Sequence, residues 1–475
     1  MSTKNHIIDK FLIADKLITK KEHDILFKDK DYWQQNSYYK PFTDALTKII
    51  KLQKNNDVIY LSGICFPNYI EFKNLEISPT KNIDFSFCNF YDKANFFGIE
   101  FIGKIEFNNT TFHKEVTFKK SIFSKTGYFK KCSFLDKADF SFILFNEKVY
   151  FDNSVFSKVS FEHSIFGKES FFVKCKFNQD ANFLEANFKD RADFNKSIFE
   201  GNYISFTNAS FNSTVFDNST FKRETSFRGI KCEDYCYFSD IVFSSKVEFN
   251  QSKFKKNVIF DNTQFENAYF FSVICQEKVS FKNALSNKVV SFENMAIDTI
   301  DMTNSNFEVV NFSNLRDKSF LPLKKTNIQN KETARIIKSH LEKQHNIIDA
   351  NKYFVIEQDK YFDELKWNNN LGSKFVVGLN KLISNHQTNW IKVLLWIVVF
   401  SVIVLYFHDG IKLELNKELL YSQLNRAVEL INPLNIFKSN DLFKGEEFWA
   451  MLVRVITIYL FWQFTVSFRQ NTRRK

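Results

Sequence analysis

Phenylalanine recurs along this chain at alternating steps of five and six residues, and this period limits the fold more than any other feature. The series runs Phe85, Phe90, Phe96, Phe101, Phe107, Phe112, Phe118, Phe123, Phe129, Phe134, Phe140, Phe145, Phe151 and Phe156. A shorter-stepped stretch at Phe161 and Phe166 follows, then Phe172, Phe177, Phe183, Phe188, Phe194 and Phe199. A phase shift near Tyr203 precedes Phe206, after which the series continues to Phe265. Leu61, Phe66, Phe72 and Ile77 extend it upstream; Phe281, Phe292, Phe307 and Phe312 carry a frayed continuation. A helix needs apolar residues three and four apart, so this spacing excludes one.

A second column fixes the register. Two residues before a Phe stands a small or β-branched side chain, as at Val116, Ala138, Val149, Val159, Ala181, Ala192, Val247 and Val258. In extended backbone, positions i and i−2 share a face. Each unit is therefore a short strand with one large and one small inward side chain. The remaining Asn, Asp, Ser, Thr and Lys suit turns and a solvated exterior. One such strand cannot bury its Phe alone, whereas stacked copies do. Composition agrees: 60 Phe stand against 11 Gly and 5 Pro, so the punctuation of ordinary turn-rich domains is missing.

Units such as Phe107-Asn-Asn-Thr-Thr-Phe112 and Phe183-Leu-Glu-Ala-Asn-Phe188 resemble pentapeptide repeats, in a Phe-centred variant that pairs five- and six-residue steps. The resemblance covers over half the chain. It implies an all-β solenoid, a right-handed quadrilateral β-helix with four repeats per coil. The six-residue step means that one corner in two absorbs an extra residue. Residues 58–316 give about 12 coils and a stack of about 55–60 Å. Such a stack needs capped ends, and residues 1–57, with Ile7, Ile8, Phe11, Leu12, Leu17, Ile18, Leu26 and Phe27 among charges, read as an N-terminal helical cap.

Beyond Leu315 the pattern changes. Residues 317–389 read as a helical linker, with Asn330 as an N-cap and Ile336, Ile337, Leu341, Ile347, Ile348, Phe354, Phe362 and Leu365 at helical spacing. The stretch Glu332-Thr-Ala-Arg-Ile-Ile-Lys338 resembles the linker of bacterial proteins that join Phe-type repeats to a membrane tail. Ile431-Asn-Pro-Leu434 and Phe468-Arg-Gln-Asn-Thr-Arg-Arg474 resemble their closing motifs. Residues 390–475 then read as a membrane domain with two transmembrane helices, about 390–408 and 448–468. Trp390, Trp396, Tyr406, Trp449 and Trp462 suit the interface.

Net charge is +11, yet residues 58–316 are nearly balanced, so the excess lies outside the repeats. Lys392, Arg469, Arg473, Arg474 and Lys475 are the expected membrane-anchoring basic residues. Together with Lys374 and Lys381 they place the β-helix and both termini on the cytosolic side of an inner membrane. Membrane lipids are the expected partners, with a homo-oligomer, a cytosolic protein partner and no nucleic acid. No secretory leader is visible at the start, and the seven cysteines lack paired spacing, so reduced thiols are expected.

Chemistry is sparse. The Walker, dinucleotide Gly and His-Glu-x-x-His patterns are absent, and the eight His are scattered. No catalytic residue, cofactor or metal is expected. Cys88, Cys132, Cys175 and Cys236 fall two residues before a Phe and read as core thiols, while Cys232 takes a Phe position. Asp84, Asp139 and Asp193 precede a Phe and read as solvated. Arg454, inside the second apolar run, is the one candidate functional intramembrane residue, either snorkelling or pairing within an oligomer or pore. Three roles compete: a non-enzymatic scaffold on the cytosolic membrane face; a channel-like sensor with the β-helix as regulator, which lacks a filter run between its spans; and the DNA mimicry known for some pentapeptide-repeat proteins, which needs a more acidic surface.

Overall fold

The computed structural model describes residues 18–36, 38–317, 319–408, 417–432 and 447–472. The chain forms two compact units, Met1–Asn327 and Ile328–Lys475.

In the first unit, short parallel strands stack with a partner usually 21 or 22 residues on. They lie on four faces, represented in one coil by Glu100–Phe101, Ile105–Glu106, Thr111–Phe112 and Val116–Thr117. Twelve rungs follow one another on the second face, from Tyr60 through Asp84, Glu106, Tyr128 and Tyr150 to Asp301. The expected four-sided solenoid of about twelve coils is therefore present.

Four Phe columns fill it. On the fourth face Phe118, Phe140, Phe161 and Phe183 stack at ring separations of 5.0, 4.9 and 5.1 Å. Rings on neighbouring columns meet edge to face, as Phe107 and Phe118 do at 5.4 Å and 79°. Both arrangements suit the ring quadrupole.

The extra residue of each six-residue step has a visible home. Ser133–Asp139 carries the step Phe134 to Phe140, while its neighbour Val155–Ser160 carries the five-residue step Phe156 to Phe161. Their register shifts between Phe134 and Lys137, a bulge at the corner of the third and fourth faces. The same shift recurs at Phe188/Arg191, Phe243/Lys246 and Cys275/Lys278. The alternate, five-residue corners turn through one left-handed residue, often Asn: Asn109, Asn153, Asn208, Asn218, Asn262 and Asn283 have φ of 53 to 59°. Asn tolerates that region better than other non-Gly residues. At the phase shift, Gly201 is required because a Cβ there would meet the Gln179 carbonyl oxygen at 2.0 Å.

Two sequence expectations are corrected here. Many Ser and Thr are not exterior: Thr110, Ser121, Ser154, Ser164, Ser197, Ser219, Ser252 and Thr263 are buried. Each hydroxyl donates to the carbonyl of a Phe one coil back, for example Ser154 Oγ to Phe129 O at 2.6 Å and Ser197 Oγ to Phe172 O at 2.6 Å. The polar group is thereby satisfied inside the core. Nor are all seven cysteines thiols. Cys232 and Cys236, both fully buried, are joined in a disulfide across one corner of a coil. Cys232 stands in a Phe column between Phe211 and Phe254, and Cys236 in the small column between Thr214 and Val258. Lacking a ring at that rung, Cys232 lies close enough to reach its neighbour. Cys65, Cys88, Cys132, Cys175 and Cys275 are buried thiols.

Helices α1 (Lys20–Leu26), α2 (Lys30–Gln35) and α3 (Lys40–Leu52) precede the first coil. Thr19 and Glu22 form a capping box on α1. The buried face of α3 carries Phe42, Ala45, Leu46, Ile49 and Ile50, and Phe42 meets Phe66 edge-on at 5.9 Å. Gln53, just past α3, accepts from Tyr60 N at 2.8 Å and donates to Tyr60 O at 3.1 Å. It thus occupies backbone groups of the terminal strand that would otherwise be a bare edge. Ile7, Ile8, Phe11, Leu12 and Leu17 lie outside the described residues.

The second unit is helical: α4 (Lys331–Lys343), α5 (Ile347–Glu364), α6 (Leu371–Ser384), α7 (Trp390–His408), α8 (Lys417–Ile431) and α9 (Glu447–Thr472). Asn330 caps α4 as expected, accepting from Thr333 N at 2.9 Å. Within α7 and α9, Trp390–Phe407 and Phe448–Thr472 are long and apolar enough to cross a membrane. Val393, Ile397 and Leu460 form one contact between them; Val404, Leu405, Ala450 and Val453, joined by Ala427 of α8, form another.

Candidate functional site

Strand alternation sets what the solenoid shows outside. On the first face the outward column reads Glu100, Ile122, Leu144, Ile165, Asn187; on the second it reads Glu106, Tyr128, Tyr150, Phe171, Asp193. Three successive coils thus put an aliphatic ladder beside an aromatic one on adjoining faces. All six side chains are half-buried. Tyr128 stacks on Tyr150 at 5.3 Å and Tyr150 on Phe171 at 4.8 Å. Lys104 and Lys130 lie over the Tyr128 and Tyr150 rings at 4.5 and 4.2 Å, a cation–π arrangement. Beyond Asp193 the second face continues as Val215, Tyr237 and Ile259. The same three coils show Ser133, Val155 and Lys176 on the third face and Asp139, Ser160 and Asn182 on the fourth. The ladder pair thus occupies the first and second faces, while Leu135 and Phe142 are exposed at the corners flanking the fourth.

The aspartates expected to be solvated serve the turns instead. Asp84 Oδ1 accepts from Ser86 N at 2.8 Å, and Asp139 Oδ1 from Ser141 N at 3.0 Å. Asp193 is buried; it accepts from Asn195 N at 3.0 Å and pairs with Arg191 at 2.8 Å. Burial raises the Asp84 carboxyl above its usual range, as it does Asp152 and Asp217. Burial also pushes up the Cys132 and Cys175 thiols, and Cys275 to about 12, so none offers a thiolate at neutral pH. Among the described residues no group of three or more His, Cys, Asp and Glu is placed to hold a metal.

The helical unit contains buried polar links that sequence reasoning missed. Glu357 of α5 is nearly enclosed and bridges Arg335 (2.9 Å) and Lys338 (2.7 Å) of α4, both in the linker motif. Asp359 pairs with Lys381 at 2.7 Å and faces His386 at 3.2 Å. Asn380 Oδ1 accepts from Tyr459 OH at 2.8 Å and Gln463 Nε2 at 2.7 Å, tying α6 to α9. The closing motif also docks: Asn471 Nδ2 donates to Thr388 O at 2.6 Å, and Asn351 Nδ2 to Gln470 O at 3.3 Å. The pairs made by Asn380, Asn471 and Asn351 lie 79 to 119 positions apart along the chain, so no local pattern announces them.

Of the expected site residues, Arg454 is half-buried on α9, with no ion-pair partner among the described residues. Lys392 Nζ donates to the Lys381 carbonyl at 3.1 Å. Arg469 is exposed in the last turn of α9. Arg473, Arg474 and Lys475 lie outside the described residues.

Together these features define a class: a four-sided, Phe-stacked β-solenoid joined to a helical unit with two candidate membrane-spanning helices. Residues 162–204 match the family model for pentapeptide repeats (9 copies). The same register runs along the whole solenoid, so the repeat architecture matched over residues 162–204 extends through this unit. No curated protein and no solved structure matches it.

Proposed function

We propose that this protein is a membrane-anchored, non-enzymatic scaffold. Its helical unit holds it in a bacterial inner membrane, and its solenoid offers the ladder pair to a cytosolic protein. The observation that carries this reading is the pair of adjoining ladders, Ile122, Leu144 and Ile165 beside Tyr128, Tyr150 and Phe171, unbroken over three successive coils. Aromatic-rich, partly apolar patches are what protein interfaces bury, and solenoids bind through extended surfaces of this kind. The basic residues Lys374, Lys381, Lys392 and Arg469 favour the cytosolic side by the positive-inside bias. Arg454 sets depth by snorkelling or is satisfied within a homo-oligomer.

The test is crosslinked co-purification from membranes, comparing Leu144→Lys/Tyr150→Lys with Ser160→Lys on the opposite side. All three positions point outward, and circular dichroism checks that each variant keeps the solenoid. A stoichiometric partner retained by Ser160→Lys and lost from the double variant supports the reading; identical recoveries overturn it.

A further inference from the structure

Among the described residues of the helical unit, most of one apolar face of helix α6 is uncovered, although Leu379 and the buried Ile383 on it pack against the spans. Leu371, Phe375, Val376 and Leu382 are 65, 57, 55 and 50 % exposed. At 100° per residue they fall, with Gly372 and the partly covered Leu379, in one sector that contains no charge. The helix's two lysines lie on the other side and are already engaged. Lys374 donates to Leu365 O at 2.7 Å and sits 5.0 Å from both the Phe362 and Trp367 rings. Lys381 pairs with Asp359.

The location of this face says what covers it. Only residues 385–389 separate α6 from the first candidate span, and two bonds fasten them: Trp396 Nε1 to Leu382 O at 3.1 Å and Lys392 Nζ to Lys381 O at 3.1 Å. The outer face of that span is exposed to the same degree, with Leu395 at 61 % and Val398 at 55 %. The apolar surface of α6 therefore continues that of the span. An amphipathic helix with one apolar face and basic residues behind it is the form that lies in the plane of a bilayer interface.

We infer that α6 is an interfacial helix, its Leu371–Phe375–Val376–Leu382 face seated in the lipid headgroup and upper acyl region beside the first span. This rests on the membrane reading above. It adds a third membrane contact, one that fixes the tilt of the linker at the surface.

The full chain is reconstituted in liposomes of zwitterionic and anionic phospholipid. An environment-sensitive fluorophore is placed on single added cysteines: Phe375→Cys, Ser373→Cys on the opposite side of α6, and Val398→Cys in the span. The native cysteines, buried in the solenoid, do not compete. The inference expects doxyl-lipid to quench the Phe375 and Val398 probes several-fold more than iodide does, with the order reversed for Ser373. If Val398 meets lipid but Phe375 is quenched by iodide, α6 stands in water and the inference fails. If Phe375 is shielded from both quenchers, a second copy or other protein covers the face, and it fails equally. If Val398 itself escapes doxyl-lipid, the membrane reading falls and takes the inference with it.

Discussion

Phe140 and Phe142 are two residues apart and chemically identical, and replacing each by Ala should have opposite consequences. Phe140 is fully buried. Its ring stacks on Phe118 at 5.0 Å and Phe161 at 4.9 Å, and it meets the edges of Phe129, Phe134 and Phe151 at 5.7, 5.8 and 5.4 Å. Emptying such a site costs about 3–5 kcal/mol, because rings held in place on five sides cannot collapse into the gap. Phe142 is 46 % exposed at a left-handed corner, where it stacks only on His163 at 4.9 Å under Lys119. Its loss should cost at most about 1 kcal/mol. In a solenoid each coil answers mainly to its neighbours, so hydrogen exchange by segment is the appropriate assay. A loss of about 4 kcal/mol corresponds to exchange nearly a thousandfold faster. It should appear at the Phe118, Phe140 and Leu144 amides, which bond to Asp139, Ser160 and Ser121. Phe142→Ala should leave those amides within about fivefold of the parent. Equal acceleration by both variants would refute the assigned register.

Two further outcomes are expected. Purified in air without reductant and then denatured, the chain should take up five alkyl groups, one for each of Cys65, Cys88, Cys132, Cys175 and Cys275; seven would contradict the Cys232–Cys236 bond. Thermal stability of the helical unit in detergent should fall as pH drops below about 6.5. Burial holds both His386 and His340 below their ordinary value, so each is neutral when folded, and the stability this gives is present above the unfolded value and lost as pH falls through the folded one. The Asp359 carboxyl is also held low, because Lys381 and His386 together outweigh its burial, but it acts only in far stronger acid. Replacing both histidines by Gln should flatten the profile near pH 6.5, and an unchanged profile would contradict the assignment.

How far the sequence could be read follows from what repeats. The four Phe columns and the small column of Val116, Ala138, Val159, Ala181 and Val247 run from coil to coil, and alternation within a strand leaves them only one inward direction. The corner bulges were also foreseeable, since a six-residue step beside a five-residue step must shift register. The inward Ser and Thr were hidden because the same residue types also make turns. A signal existed: Thr110, Ser121, Ser154 and Ser197 each follow a left-handed residue and precede a Phe by two, the slot that Cys88, Cys132 and Cys175 share. The Cys232–Cys236 bond was hidden because it depends on the distance across a corner. Asn380, Tyr459 and Gln463 meet only after two helices pack, and the apolar face of α6 was merged into a linker expected to be uniformly helical.

The claim that the ladder pair is the working surface is most directly tested by a photo-crosslinking residue installed in living cells at Leu144, at Tyr150, and at Asn182 on the fourth face. The account predicts a discrete, shared adduct from Leu144 and Tyr150, recovered in the membrane fraction, and none from Asn182. Adducts from Asn182 alone, or the same set from all three positions, would contradict it.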